Sequence, residues 1–219
     1  AVGALILLGV LVLMCIFAPI LSPYEYETMD KSARLVSPSK THWFGTDKLG
    51  RDVFTRVWIG GRVSMVIGLA AALISTTIGC IYGGIAAYFG GAVDNIMMRI
   101  VEVLISVPYL IVVILMSVIL QNSNITTLLL AMTITGWCGT ARFVRAQMLQ
   151  IKSEEYTLAA QALGVSPWKV VTRHFIPNTM GVIIVSITFD IPGYIFSEAF
   201  LSYLGLGIQP PGTSWGALA

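Results

Sequence analysis

The sequence predicts an all-α fold, a bundle of helices that crosses a membrane several times. Of its 219 residues, 56% are hydrophobic and 11% are charged, whereas about 25% of a soluble domain is charged. The apolar residues are gathered in uncharged runs at 1–21, 63–93 and 103–141, and about 20 apolar residues cross the hydrocarbon core. This composition excludes an ordinary soluble enzyme and a disordered chain. The net charge of +2 is too small to indicate a nucleic acid or another polyanionic partner.

The run 1–21 is predicted to be the first spanning helix. A secretory signal peptide is the alternative, but no basic residue precedes the run and it is longer than a typical apolar signal core. The sequence opens with Ala rather than Met, so we expect further residues before it.

The segment 22–62 is rich in charges and is predicted to lie outside the membrane. Its turn residues Gly45, Asp47 and Gly50 lack the spacing of a phosphate-binding loop, so we interpret 44–52 as a structured outer loop. The end of the segment, 52–59, is predicted to be a short amphipathic helix at the interface, because four apolar residues recur at helical spacing: Val53, Phe54, Val57 and Trp58.

Four further spans are predicted, at about 63–88, 94–120, 125–148 and 178–204, which makes five. Pro108 should kink the second of these, and Gln121-Asn122-Ser123-Asn124 is the expected break after it. In the span 63–88, small residues recur every four positions in two rows, as in helices that pack closely in lipid. The rows are Ala71, Ser75, Gly79, Gly83, Ala87 and Gly91, and Gly60, Ser64, Gly68, Ala72 and Thr76.

The polar segment 151–177 is predicted to form a helix–Gly–helix elbow outside the bilayer. Ser153 is the expected N-cap, with Glu154 and Glu155 in the first turn, and Gly164 is the expected left-handed C-cap. An apolar stripe follows at positions Tyr156, Ala159, Ala160 and Leu163. The second limb starts at Ser166-Pro167 with the stripe Val170, Val171, His174 and Phe175, and Pro177 marks the entry into the last span.

An apolar face in water needs a partner. The pattern alone leaves two interpretations open, that the elbow folds back onto its own bundle or that it docks on another protein.

Four stretches resemble one family. The spacing Leu158-Ala159-Ala160-x3-Gly164-x12-Pro177 resembles the EAA loop of permease subunits in bacterial ABC importers, with Leu158 where the pattern has Glu. The stretches 44–52, 94–108 and 197–216 resemble the C-type permease of oligopeptide and dipeptide importers, within a type I ABC importer permease fold. That family has six spans, so we expect a sixth helix outside this sequence.

The resemblance implies the orientation, which charge leaves open because seven basic residues fall on one side and six on the other. The elbow is then cytoplasmic, and the chain lies in a bacterial inner (plasma) membrane. The implied partners are a second permease, two cytoplasmic ABC ATPases that bind ATP and Mg²⁺, and an extracytoplasmic peptide-binding protein. This chain would be a non-catalytic subunit without a cofactor of its own.

The resemblance also implies roles within the elbow. Glu155 would make a polar contact at the rim of an ATPase cleft, Ala159 and Ala160 would permit close docking, and Gly164 would set the angle. The remaining coupling residues are Tyr156, Leu163 and Pro177.

Three acids in or near the spans are further candidates. Asp190 lies near mid-bilayer, where it either faces the translocation pathway and a peptide amino terminus or pairs with the second permease. Pro192-Gly193 should weaken the helix just beyond it. Glu198 is the second possible residue of the translocation pathway, although capping a helix or pairing with an outer-loop cation such as Arg62 is favoured over substrate binding. Glu102 follows Arg99 by three positions, which predicts an ion pair within one helix.

Alternative functions are the same permease role for another solute, such as a nickel chelate, an intramembrane enzyme, or a channel. The enzyme is disfavoured because both histidines, His42 and His174, fall outside the spans and no His-Glu-x-x-His occurs. The three cysteines, Cys15, Cys80 and Cys138, lie in apolar runs and indicate neither disulfides nor a metal site.

Overall fold

The computed structural model describes residues 2–120 and 124–219, except for the side chain of Gln161. The described residues are helical apart from loops and one isolated bridge between Thr46 and Asp52. The elements in chain order are α1 (Val2–Leu21), α2 (Val53–Phe89), α3 (Gly91–Ser106), α4 (Tyr109–Leu120), α5 (Ile125–Lys152), α6 (Glu155–Ala162), α7 (Pro167–Val170), a π-helix (Val171–Phe175), α8 (Ile176–Tyr203) and α9 (Trp215–Leu218).

Four helical segments of the described chain are long and apolar enough to cross a membrane: Val2–Leu21, Val53–Phe89, Ile125–Lys152 and Pro167–Tyr203. A fifth span results if α3 and α4, which meet at an angle of 79°, count as one. The predicted all-α bundle is therefore confirmed, with the predicted span 94–120 as its irregular member.

The break between α3 and α4 is sharper than the predicted kink. Val107 has an extended backbone, with φ −86° and ψ 126°, because the ring of Pro108 disfavours a helical conformation at the residue before it. The expected loop at Gln121-Asn122-Ser123-Asn124 falls largely outside the described residues.

The separate interfacial helix predicted for 52–59 is wrong. Residues 53–59 are instead the first two turns of α2, a single helix of 37 residues. The side chain of Asp52 caps this helix, since its Oδ2 accepts from the backbone N–H of Thr55 at 2.8 Å. Residues 60–64, Gly-Gly-Arg-Val-Ser, do not interrupt the helix because none of them is a proline.

The described chain divides into two compact units, each treated separately below. The first contains 2–67, 124–125 and 195–219, and the second contains 68–120 and 126–194. In the second unit, small residues of α2 allow α5 to approach closely, as predicted. A Cβ atom on Gly79 would lie 2.7 Å from the Cβ of Thr140, and one on Gly83 would collide with the carbonyl oxygen of Ala141.

Candidate functional site

The elbow has the predicted helix–Gly–helix form. Gly164 follows α6 with φ +73°, a conformation that favours glycine, and the N–H of Val165 donates back to the carbonyl of Ala160 at 3.1 Å. Ser166 is extended and Pro167 opens α7, where its missing N–H is harmless. Gly164 therefore ends the first limb and sets the direction in which the second limb begins.

The start of the elbow differs from the prediction. Ser153 is not the N-cap, because its hydroxyl donates to the carbonyl of Gln150 at 2.8 Å and so belongs to the end of α5. Glu154 precedes the first helical residue, and its carbonyl accepts from Thr157 and Leu158. Glu155 lies exposed in the first turn of α6, as predicted.

The second limb of the elbow is anchored in the second unit. Val170, Val171 and Phe175 are buried in one hydrophobic core with side chains of α2, α5 and α8, namely Cys80, Ala87, Val144, Met148 and Ile183. A Cβ on Gly84 would lie 2.8 Å from Val171 Cγ1, so α2 makes room for this limb. This limb folds back onto its own bundle.

Lys152, the last residue of α5, ties the base of the elbow to α2. Its Nζ donates to the carbonyls of Ala87 at 3.0 Å and Tyr88 at 2.6 Å. Both carbonyls lie in the last turn of α2, where no helical N–H reaches them. The ammonium group also complements the negative end of the α2 dipole.

Both limbs expose large apolar side chains. We call these the elbow surface, whose members and exposed fractions are Tyr156 (43%), Leu158 (52%), Leu163 (84%) and Trp168 (56%). Of the predicted stripe on α6, only Ala160 turns inward, at 8% exposure, beside the buried Thr157. Ala159 is exposed. The interpretation that the elbow folds back onto its bundle is thus confirmed for the second limb, and docking of the exposed side chains on another protein stays a prediction.

The elbow connects directly to α8. The chain is helical from Pro167 to Tyr203, and Pro177, expected to mark a boundary, lies inside this stretch. The π-helix immediately before it contains a wider turn in which the N–H of Ile176 donates to the carbonyl of Val171. Such a turn accommodates Pro177, which cannot donate to the carbonyl four residues earlier.

Asp190 lies in α8 and is partly buried. The described residues give it no hydrogen bond or ion pair. One turn later, on the same face of the helix, the hydroxyl of Tyr194 donates to Ser75 Oγ at 2.7 Å. A side chain on Gly136 would collide with that hydroxyl. The expected weakening at Pro192-Gly193 does not break the helix, which continues to Tyr203.

Glu198 is fully buried in the first unit, and its predicted pairing with Arg62 is wrong. Its carboxylate accepts from three serine hydroxyls, Ser64 at 3.0 Å, Ser202 at 2.7 Å and Ser214 at 2.6 Å. The hydroxyl of Ser64 accepts the N–H of Trp215 at 3.1 Å, and that of Ser214 accepts the N–H of Ala217 at 3.0 Å. Each hydroxyl that accepts one of these N–H groups keeps its own hydrogen for a bond to Glu198.

Arg62 has another use, which explains why it does not reach Glu198. Pro19 lacks the N–H that would pair with the carbonyl of Cys15 in α1. Arg62 Nε donates to that carbonyl at 3.2 Å, and its Nη2 donates to the carbonyl of Ile16 at 3.0 Å. The cation therefore joins α2 to α1.

The segment after α8 is docked in the first unit. Trp215 Nε1 donates to the carbonyl of Val57 at 2.9 Å. A Cβ on Gly61 would lie 2.6 Å from the indole of Trp215, and one on Gly60 would lie 2.9 Å from the backbone of Ser214. The adjacent glycines in α2 were the available signal for this contact.

Sequence reasoning also missed a buried ion pair in the second unit. Asp94, in the first turn of α3, is 6% exposed and binds Arg145 of α5 through both carboxylate oxygens. Their 51-residue separation hides the pair from local patterns. The predicted pair of Arg99 and Glu102 is confirmed, with Nη1 and Oε2 2.8 Å apart.

The outer loop is structured around Asp47 and Asp52. Burial raises the pKa of Asp47, but hydrogen bonds from the N–H groups of Arg51 and Leu49 and from the Arg51 side chain outweigh it, so the pKa is lowered overall. Asp52 Oδ1 lies 3.0 Å from Nδ1 of His42, whose ring stacks on Tyr24.

Comparison with known proteins agrees with this architecture. The family described as binding-protein-dependent transport system inner membrane component matches residues 75–218. The N-terminal transmembrane domain of oligopeptide transport permease C matches residues 1–38.

Curated relatives match over the whole chain. The dipeptide transport system permease protein DppC of Bacillus subtilis is 50% identical over 219 residues, which are 100% of this chain and 68% of the relative. The oligopeptide transport system permease protein OppC of the same organism is 49% identical, over 100% of this chain and 72% of the relative. OppC of Escherichia coli K12 is 44% identical, with the same two coverages. The chain belongs to the family of binding-protein-dependent transport system inner membrane components.

Proposed function

We propose that this chain is the permease subunit of an ATP-driven importer of dipeptides or oligopeptides. It would form half of a translocation pathway with a second permease. The names of its relatives support the substrate class. The observation that supports the coupling role is the elbow surface, a set of exposed apolar side chains on an elbow whose second limb is anchored in the core.

The elbow surface suits a cytoplasmic ATPase as its partner. Four large apolar side chains exposed within residues 156–168 suit contact with another protein, and the exposed Glu155, next to Tyr156 in the chain, offers a polar contact. Two ATPase subunits, one for each permease, would bind ATP and Mg²⁺, and this chain would contribute no catalytic residue. A peptide-binding protein would deliver substrate from the other side of the membrane.

The continuous helix from Pro167 to Tyr203 provides the route for coupling. A displacement of the elbow by ATPase closure would act on α8 without an intervening loop, and so on the packing of the spanning bundle. Asp190 is the pathway candidate that this route reaches, because it is ionisable, lies within the span and has no partner among the described residues. Glu198, with its oxygens occupied by serines, suits a structural role.

Docking is tested by Leu163→Glu in the complex purified from cells. Leu163 is 84% exposed and makes no core contact, so the variant should fold normally but lose most of the co-purifying ATPase. Met29→Glu is the control and should retain the ATPase. It changes a side chain that is 56% exposed in the segment between α1 and α2. Equal ATPase recovery from both variants would contradict the docking proposal.

The proposal that movement of the elbow is transmitted to α8 is tested by a matched pair of glycines. Neither Gly164 nor Gly181 has an atom near the place of an added Cβ, but only Gly164 has a positive φ. Gly164→Ala should therefore strain the elbow by about 1 kcal/mol and reduce ATP-driven peptide uptake, whereas Gly181→Ala should not. Unchanged peptide uptake in both Gly164→Ala and Gly164→Pro would contradict transmission through the elbow.

A further inference from the structure

The second unit contains a polar cavity between α3 and α5 that the transport proposal does not use. Its volume is about 880 Å³, and its charged lining residues are Arg99, Arg142, Arg145 and Glu102. We propose that this cavity binds the phosphodiester headgroup of an anionic phospholipid, with Arg142 as the principal ligand.

The charges around the cavity leave one cation uncompensated. Arg145 is paired with the buried Asp94, and Arg99 with Glu102. Arg142 is exposed and has no hydrogen bond or ion pair within the described part of the chain. Three cations and two anions leave a single positive charge, which equals the charge that one phosphodiester would neutralise.

The position of Arg142 within a spanning helix favours an anion beside it. It lies ten residues before Lys152, where α5 ends, and therefore about 15 Å along the helix from that end. A cation at such a depth in a spanning segment is costly unless it meets water or a counter-ion.

The cavity also holds a second, preorganised donor. Arg145 uses Nε and Nη2 to bind Asp94, which leaves its Nη1 for another acceptor. The backbone of α5 at this point is fixed against α2, because Gly83 allows the carbonyl of Ala141 and the N–H of Arg145 to come close. A ligand would therefore meet a guanidinium group whose orientation is already fixed.

The surroundings of the cavity favour an amphiphile over a small anion. Three apolar side chains of α3 are exposed at spacings of four and three residues, Ile96 at 64%, Ile100 at 49% and Val103 at 60%. Ile96 and Ile100 also line the cavity. A lipid would place its phosphate at Arg142 and the start of its acyl chains along this stripe. The volume is suited to a ligand of drug size and is larger than one carboxylate of a partner protein would fill.

The leaflet that supplies the lipid follows from the proposed function. Arg142 lies toward the elbow end of α5, and a cytoplasmic elbow makes this the cytoplasmic leaflet, where anionic lipids attract basic groups. Lipid binding itself needs neither ATP nor peptide. Its failure would therefore leave the transport assignment untouched.

The experiment is native mass spectrometry of the full chain, purified with the subunits that accompany it, titrated with phosphatidylglycerol. Phosphatidylcholine, which has the same phosphodiester but no net charge, and inorganic phosphate are titrated in parallel. We expect tight binding of phosphatidylglycerol alone, and affinity reduced roughly tenfold in Arg142→Gln. Arg142→Lys should retain part of the affinity, and Arg34→Gln, an exposed outer-loop cation, should retain all of it.

Three results would overturn the proposal. Equal affinity for phosphatidylcholine, or unchanged affinity in Arg142→Gln, would remove the charge argument. Displacement of the lipid by equimolar inorganic phosphate would make the cavity a site for free anions. Dissociation of the subunits in Arg142→Gln, regardless of the lipid, would identify an acidic residue of a partner protein as the counter-ion.

Discussion

The two units bury a carboxylate in opposite ways. In the second unit, Asp94 is neutralised by a cation, Arg145, from another helix. In the first unit, Glu198 has no cation among the described residues and is surrounded by three serine hydroxyls. A full charge pair depends on one partner, whereas a set of hydroxyl donors shares the same task among several.

This difference predicts how each unit responds to the loss of one group. Removing the only cation leaves a buried charge uncompensated, which is the costliest failure. Removing one hydroxyl leaves two donors in place. The predictions below are ordered by their expected effect.

The largest loss is expected for Arg145→Leu. We expect about 3–5 kcal/mol less stability in the second unit, because Asp94 is left buried and unpaired. Denaturant unfolding of the purified protein in detergent measures this loss. Arg99→Leu is the control, since its pair with Glu102 is exposed and should contribute no more than about 0.5 kcal/mol. Similar small losses in both variants would show that Asp94 finds another partner.

An intermediate loss is expected for Glu198→Gln. The amide would direct its NH₂ group at a hydroxyl that donates to the carboxylate in the native protein, at a cost of about 1–3 kcal/mol. Ser202→Ala, which removes one of three donors, should cost about 1 kcal/mol. Hydrogen exchange at the amide of Trp215, which bonds to Ser64, measures the effect on the docked segment. Slower exchange in Glu198→Gln than in Ser202→Ala would refute the shared-donor account.

A smaller effect is expected for Arg62, because this cation donates to backbone carbonyls instead of a carboxylate. Arg62→Leu should weaken the contact of α1 by about 1 kcal/mol. In a Pro19→Ala background, where the substituted residue supplies the missing N–H to the carbonyl of Cys15, the loss should shrink. A double-mutant cycle measured by thermal unfolding gives this coupling, and strict additivity would contradict the role assigned to Pro19.

The smallest effect is expected at Asp47 of the outer loop, because its side chain is 24% exposed and water competes with its contacts. The folded-state pKa of Asp47 is lowered, so its contribution is complete above the unfolded value of about 3.9 and is lost as the pH falls through the lower folded value. Protection factors of the Leu49 and Arg51 amides should be constant at neutral pH and decrease in acid. Asp47→Asn should abolish this pH dependence, and a persistent decrease would assign it to another group.

The sequence predicted correctly those features that depend on residues within one helix or turn. The pair of Arg99 and Glu102, the left-handed Gly164 and the close approach at Gly79 and Gly83 follow from spacings within one helix or turn. The four long apolar helices followed from apolar length, whereas the predicted span 94–120 is bent by 79° at Pro108.

The wrong predictions concern groups whose hydrogen-bond partners lie far away in the sequence, or whose possible partners are equally close to them in the sequence. Serine is a common N-cap residue, but Ser153 lies one residue too early for α6. Its hydroxyl bonds to the end of the preceding helix instead. Glu198 and Arg62 are plausible partners by charge, yet the carbonyl freed by Pro19 and the serine of a distant loop satisfy them separately. The coupling and pathway roles of Glu155, Asp190 and their companions remain predictions, since their test is a partner or a substrate.

The π-helix at Val171–Phe175 fixes the rotational register of everything after it. Its wide turn contains one residue more than an α-helical turn would, and each residue turns an α-helix by about 100°. Deleting one residue there would restore regular winding and swing Asp190 and Tyr194 by that angle, away from Ser75. The direction in which α8 presents its polar side chains is thus set some fifteen residues upstream, beside the elbow.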